Sequence, residues 1–362
     1  MNFIYLLILL FALDFNCLSA IPERYQLIDL GTSKHKESST VSINNNGQLC
    51  GDLVINNESY VFFWDPVRKL KYLKNRITTM PIINDAGKVF GSYFSRKTYD
   101  IWELDQESAY IWDSQTSKSK MQTFGYPSSQ SSKPHDLHPK RVCVWDANDK
   151  EQILLMNTPT TNEGYLFLSL NNYRTWLYKN GKYNEITNQD FTVATKINNN
   201  TQVLVHLYKY NKLYNIQRRF VGIYTHNDQV TQLLDFESDA WGSDINDSGQ
   251  VVGAYYDPLR SKYKGFLAEQ DSQNLVSFDT FIPTALNTQG LLIGYLNEKE
   301  KTPAIWDNGC LRVISEVADM VDDNGNTWDS IESLTDVNDR GEIVGNGVYN
   351  GAKHAILLQP IN

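Results

Sequence analysis

The side chains best suited to chemistry in this chain are aromatic. They fall in three short stretches: Tyr93, Tyr99 and Trp102; Tyr208, Tyr210 and Tyr214; and Tyr255, Tyr256 and Tyr263. Acids and bases are interleaved, among them Glu103, Asp105, Lys209 and Asp257. A tyrosine or tryptophan with polar neighbours offers a large rigid face and a hydrogen-bonding tip, which suits recognition of a sugar or a peptide. The competing reading is that these rings pack between structural units, and both stay open at this level. Other groupings are weaker. His135 and His138 stand three apart, but no Cys or further His lies nearby to complete a zinc set, so they read as a solvated pair. Asp319, Asp322, Asp323 and Asn324 supply hard oxygens, yet placing Gly325 at the sixth position of an EF-hand loop puts Met320 at the first. The chain therefore calls for no cofactor, with calcium at the Asp319–Asn324 loop as the single alternative. No Gly-x-Ser-x-Gly elbow is present and the six His select no triad, so no catalytic residue is assigned.

What must position these groups is a repeat. Ile245-Asn246-Asp247-Ser248-Gly249-Gln250-Val251-Val252-Gly253 reads as a strand end, a tight turn and a second strand. Asn246 and Asp247 hydrogen-bond their own backbone, and Gly249 supplies a positive φ without a Cβ clash. Val251 and Val252 favour the pleated strand, and Gly253 lets another backbone approach. Aligned on the first Asn of the turn, seven copies begin at Asn44, Asn84, Asn148, Asn198, Asn246, Asn287 and Asn338. The copy at Asn148 is degenerate. Successive spacings are 40, 64, 50, 48, 41 and 51 residues, the range of a four-stranded propeller blade. Downstream of most turns comes a second landmark, as in Val61-Phe62-Phe63-Trp64-Asp65, Ala109-Tyr110-Ile111-Trp112-Asp113 and Ala304-Ile305-Trp306-Asp307, which reads as a third strand.

The two ends complement each other. The seventh repeat stops after its third strand near Leu358, while Tyr25-Gln26-Leu27-Ile28-Asp29-Leu30 is a fourth strand with no blade before it. Pairing them closes a ring and removes a sheet edge. The expected fold is an all-β, seven-bladed β-propeller closed by pairing the N-terminal strand with the last blade, with six or eight blades as alternatives. Residues 113–141 read as a polar insertion between blades two and three. On this arrangement the segments joining second to third strands, which carry the tyrosines, emerge on one face.

The repeat resembles the HAF family of bacterial extracellular repeats, named for a His-Ala-Phe tripeptide. His354-Ala355-Ile356 is the nearest match to that tripeptide, Ile245 to Gly253 matches the family's turn, and Leu27-Ile28-Asp29-Leu30-Gly31 looks like its strand ending in Leu-Gly. The resemblance spans most of residues 25–358 and implies a secreted propeller-like protein, with no catalytic residues to carry over. Asp322-Asp323-Asn324-Gly325-Asn326-Thr327-Trp328 similarly resembles the Asp-box of sialidase-like propellers, with Val321 where Ser is expected, and that box is a structural turn.

Composition sets the remaining bounds. Aromatic content of 12% in 362 residues is enough to build a core, and a net charge of −9 argues against nucleic acid as a partner. Residues 1–20 read as a signal peptide, with Phe3 to Leu13 as its apolar run and cleavage after Ala20, leaving 21–362 as a single domain. No later stretch has the length of a membrane helix, so stable membrane insertion is not expected. Cys50, Cys143 and Cys310 are an odd set at wide spacing, each expected to pack as a small apolar side chain, with one bridge as the alternative. The leading functional expectation is a secreted, periplasmic or cell-surface, non-catalytic binding or adhesion module for a carbohydrate or protein partner. A sialidase-like glycoside hydrolase and a purely structural surface protein are the alternatives.

Overall fold

A computed structural model describes residues 24–30, 32, 35, 37–72, 77–95, 106–113, 122–124, 142–157, 174–186, 191–211, 216–225, 230–233, 236, 238–269, 275–296 and 299–361. Seven sheets arise from the repeats. Six are four-stranded antiparallel meanders in chain order, and the seventh has five strands. Blade 5 shows the plan: Ala240–Ile245, Gln250–Asp257, Lys262–Glu269 and Leu275–Phe278 pair in sequence, with the signature turn joining the first strand to the second. The first strands are innermost. Glu37–Ile43, Ile77–Ile83, Val142–Ala147, Phe191–Ile197, Ala240–Ile245, Phe281–Leu286 and Ser330–Val337 each contact the next, and the last returns to the first. The ring is a seven-bladed propeller.

Closure is as the termini suggest. Arg24–Asp29 pairs antiparallel with Ala352–Ile361 through six residue pairs, from Arg24–Ile361 to Asp29–Ile356. A further strand, Ala318–Asp322, then adds parallel to the outer side of Arg24–Asp29. Within 113–141, read as a polar insertion, Gln122–Phe124 is in fact the fourth strand of blade 2 and pairs with Ala109 to Ile111. Three residues flanked by polar sequence carry too little apolar pattern to announce a strand. The pair His135 and His138 lies outside the described residues.

Both faces of each sheet are buried, which explains why the strands read as continuous apolar runs rather than alternating ones. Val251 packs toward blade 4 with Leu204, Val221 and Phe266, whereas Val252 packs toward blade 6 with Leu286, Leu292 and Ala304. Seven such clusters fill the seven interfaces; the one joining the ends of the chain sets Leu30, Leu53 and Phe62 against Val344, Ala355 and Leu357. Cys50 and Cys143 are buried and in no disulfide, as expected of small apolar side chains. Cys310 is disulfide-bonded, but to neither Cys50 nor Cys143, so the bridge is not the one kept as the alternative among these three.

Every innermost strand carries a register shift a few residues before its Asn, as between Val144 and Asp146 or Gly242 and Asp244. Such a bulge bends the strand and re-aims the side chain that follows. It also drives a carbonyl into the second strand. A Cβ on Gly51, Gly253, Gly294 or Gly345 would lie 2.0, 2.0, 2.1 or 2.2 Å from the carbonyl oxygen of Ser39, Trp241, Ile282 or Ser333. The last residue of the signature is therefore Gly because the bulged strand lies against it.

Candidate functional site

The signature turns gather at one end of the channel. In blade 5, Asn246 Oδ1 accepts the Ser248 and Gln250 N–H groups at 3.1 and 2.9 Å, which fixes the turn locally. Its Nδ2 then donates to the Asn287 carbonyl of the next blade at 3.0 Å. The same bond recurs from Asn44 to Asn84, Asn148 to Asn198, Asn198 to Asn246, Asn287 to Asn338 and Asn338 back to Asn44. One link is missing: Asn84 Nδ2 is buried without an acceptor. A second belt uses the following residue, whose N–H donates to the side chain at the same position one blade on, as from Asn45 to Asp85, Asp85 to Asp149, Asn199 to Asp247 and Thr288 to Asp339.

Above these belts, two residues before each Asn, the channel is lined by Ser42, Ile82, Asp146, Lys196, Asp244, Ala285 and Asp336. The three acids and Ser42 accept from the next blade's backbone. Asp146 Oδ2 accepts Ile197 N–H at 2.8 Å, Asp244 Oδ2 accepts Leu286 N–H at 3.1 Å, Asp336 Oδ2 accepts Ile43 N–H at 3.0 Å, and Ser42 Oγ accepts Ile83 N–H at 3.4 Å. Lys196 Nζ lies 3.9 Å from Asp146 Oδ1, and the three carboxylates together hold its ammonium charged well above the usual lysine range. Burial pushes Asp244 up to about 7, the nearby Lys196 opposing and Asp336 adding to the rise. Burial raises Asp146 and Asp336 as well, against the pull of Lys196. The cavity they line holds about 320 Å³. Sequence reading passed over these four residues, although the aligned repeats carry a signal. The residue before each Asn is always apolar, while the one before that varies between Asp, Lys, Ser, Ile and Ala.

Those aromatic residues singled out from the sequence that the structure describes sit at the opposite end of the strands, toward the second-to-third-strand hairpins. Tyr255 and Tyr256 close the second strand of blade 5 and Tyr208 lies in that of blade 4, all half-buried. Tyr255 stacks on Phe236 at 4.4 Å and reaches Ser277 Oγ at 2.8 Å, so its ring is part of the packing between blades 4 and 5. Tyr256 belongs to a different group. It meets Tyr263 edge-on at 5.3 Å, Tyr263 meets Trp241 at 4.8 Å, and the Arg219 guanidinium lies 5.1 Å over the Trp241 ring. Arg219 is held there by a two-pronged bond to Asp239, at 3.0 and 2.6 Å, which raises its already high pKa. Burial pushes His206, in contact with Gly242 beside this group, down to about 4, so it is neutral at physiological pH. Beyond the cluster the hairpin tip carries Leu259, which is 96% exposed. Tyr93 lies in the strand Lys88–Ser95 and Tyr210 in Val203–Asn211, with their side chains outside the described set; Tyr99, Trp102 and Tyr214 lie outside it altogether. Arg219 and Trp241 escaped sequence reading because they stand in strands, not in the hairpin segments.

The two resemblance motifs are also placed. Asp322 forms the same turn as the repeat: Asp322 N–H bonds the Asn326 carbonyl, Gly325 N–H bonds that of Asp322, and the carboxylate accepts Asn324 and Asn326 N–H and Trp328 Nε1–H. Asp319 pairs with Arg24, and Asp323 accepts Asp29 N–H. His354 is buried edge-on to Trp328 and lowered in pKa by that burial, a packing residue rather than an exposed one. Among the described residues no helix is long and apolar enough to cross a membrane.

No protein-family profile and no curated protein matches the chain. Solved structures do match in fold. The β-propeller domain of the Trilobed protease from Pyrococcus furiosus aligns with a TM-score of 0.58 at 12% identity, over 89% of this chain and 95% of that one. An acylaminoacyl peptidase from Pyrococcus horikoshii aligns with a TM-score of 0.53 at 14% identity, over 76% of this chain and 45% of that one, so the match spans less than half of the peptidase. A streptogramin B lyase aligns at 0.51 and 9% identity, over 93% and 98%. At these identities the likeness is one of fold alone.

Proposed function

We propose that this chain is a secreted, non-catalytic propeller of the HAF-repeat kind that binds a carbohydrate or protein partner through its second-to-third-strand hairpin face. The observation carrying this is the half-buried group of Arg219, Trp241, Tyr256 and Tyr263 on that face, with the exposed Leu259 at its edge. Rigid rings with an arginine already fixed by Asp239 lose little entropy on binding, which is what an anchor at an interface needs. Export rests on the apolar leader within residues 1–20, and the net charge of −9 supports a partner other than nucleic acid.

A glycan array and a panel of purified extracellular-matrix proteins, probed with the wild type and with Trp241→Ala/Tyr263→Ala, test the reading. Signal on one class of spot that falls by on the order of tenfold or more in the double variant is expected. Signal that survives the double variant, or turnover of a chromogenic glycoside that Asp244→Asn abolishes, would overturn it in favour of the channel.

A further inference from the structure

The chain has four cysteines, Cys17, Cys50, Cys143 and Cys310. Cys310 is in a disulfide, whereas Cys50 and Cys143 are in none. Their places in the ring agree with this. Cys143 lies in Val142–Ala147, the innermost strand of blade 3, and Cys50 in Leu49–Ile55, the second strand of blade 1, packed against Phe63, Val89 and Tyr110. Cys310 opens Cys310–Val313, the outermost strand of blade 6, and packs with residues of blades 6 and 7 and of the closing strand. Neither blade 1 nor blade 3 adjoins blade 6, and the Cα atoms of a bridged pair lie at most about 7 Å apart. Of the four, Cys17 alone is left as the partner; it lies outside the described residues.

A second observation concerns where the chain enters the fold. Arg24–Asp29 runs between Ala352–Ile361 and Ala318–Asp322, with Tyr25 opposite Ala318. Tyr25 is fully buried in the same apolar cluster as Cys310. Burial raises its hydroxyl pKa, and Asp307 adds to the rise while Arg312 opposes it, so the ring lies beside the segment that carries Cys310. Asp307 is also the residue paired with Cys310 in the blade 6 hairpin. The closing strand therefore begins next to Cys310. Arg24 stands seven positions after Cys17, and seven extended residues span up to about 25 Å. Reach is ample.

We propose that Cys310 is bonded to Cys17, and that this bridge keeps the leader joined to the propeller. The sequence places cleavage after Ala20, three residues beyond Cys17. A cut there divides the chain but does not free residues 1–20, because the bridge still holds them to blade 6. To form it, the two thiols give up two electrons and two protons to an oxidised dithiol carrier of the disulfide-exchange class, whose own disulfide becomes two thiols. Such carriers keep structural disulfides oxidised outside the cytoplasm, so the bridge rests on the export proposed above. It closes a loop of most of the chain and pins the start of the strand that shuts the ring.

Mass spectrometry of the full chain, expressed with its leader, recovered from outside the cytoplasm, and denatured and alkylated without reduction, tests the proposal. A linked pair of peptides carrying Cys17 and Cys310 is expected, with alkyl groups on Cys50 and Cys143 alone. Reduction should split that pair. Cys310→Ser should abolish the link and lower the thermal midpoint by on the order of 5–10 °C, while Cys50→Ser should leave the link in place. The wild-type peptide map stays decisive if Cys310→Ser does not fold. An exported chain that begins at Ile21 with no leader peptide attached, an alkylated Cys310, or Cys310 linked to a second copy would each overturn the bridge and leave export standing. A chain held in the cytoplasm with all four cysteines alkylated would overturn both.

Discussion

At the scale of single residues, the asparagine of the turn does three jobs at once. Asn246 fixes its own turn through Oδ1, bonds Gln250 Oε1 and joins the next blade through Nδ2. Asn246→Ala removes these bonds and strands buried donors, so it should destabilise the protein by about 2–4 kcal/mol in urea unfolding. Asn84→Ala, which breaks no bond to the next blade, should lose about 1 kcal/mol less. Equal losses would mean that the belt contributes nothing beyond the local turn. Asp244 gives a second test. Its folded-state pKa of about 7 lies above the ordinary value of 3.8, so between these the folded chain holds a proton that the unfolded chain has released. Stability from this group is full below pH 4 and falls as pH rises to 7. Asp244→Asn keeps an oxygen for Leu286 N–H and removes the buried charge. It should melt above the wild type at pH 8, with the gap closing toward pH 4.

Elements are held by the bulge and the glycine beneath it. In blades 1, 5, 6 and 7 the carbonyl of the bulged strand occupies the space a Cβ would need. Gly253→Ala must push Trp241 backbone outward, and overpacking of this kind should cost about 2–3 kcal/mol, read as a lower midpoint in urea. Trp241 also stands under Arg219, so the same substitution should weaken binding at the hairpin face. Normal stability of Gly253→Ala would show that the strand can yield without loss. The turn, its glycine and the valines after it were legible in the sequence because each reflects a local backbone demand. The bulge was marked only in part: Thr195, Thr284 and Thr335 occupy it and each donate to a carbonyl of the second strand, but Val41, Trp145 and Ser243 stand there in other blades.

For the whole molecule, closure is the cooperative step. Removing residues 24–30 would strip six backbone pairs from Ala352–Ile361, expose that edge and uncover Leu357 and Leu358. The truncated chain should lose at least 10 °C of thermal midpoint, on the order of several kcal/mol for a chain of this size, and should associate through the bare strand. Differential scanning calorimetry with light scattering reads both. A truncated chain that melts as the full one does would mean that inter-blade packing alone closes the ring.

The sequence by itself determined the repeat and the way the ends meet, and pointed to seven blades with six or eight left open, because turn chemistry, period and the apolar runs are local properties that any copy displays. It also placed the tyrosines on one set of hairpins. Only the tertiary structure decided what those residues do. Tyr255 is drawn into the packing by Phe236, while Tyr256 joins Trp241 and Arg219, residues from two other strands and a second blade. It likewise decided that Asp146, Lys196, Asp244 and Asp336, one from each of four repeats, face a common channel. Convergence of that kind belongs to ring closure and to the bulge, which act over the whole chain, and so no single repeat could show it.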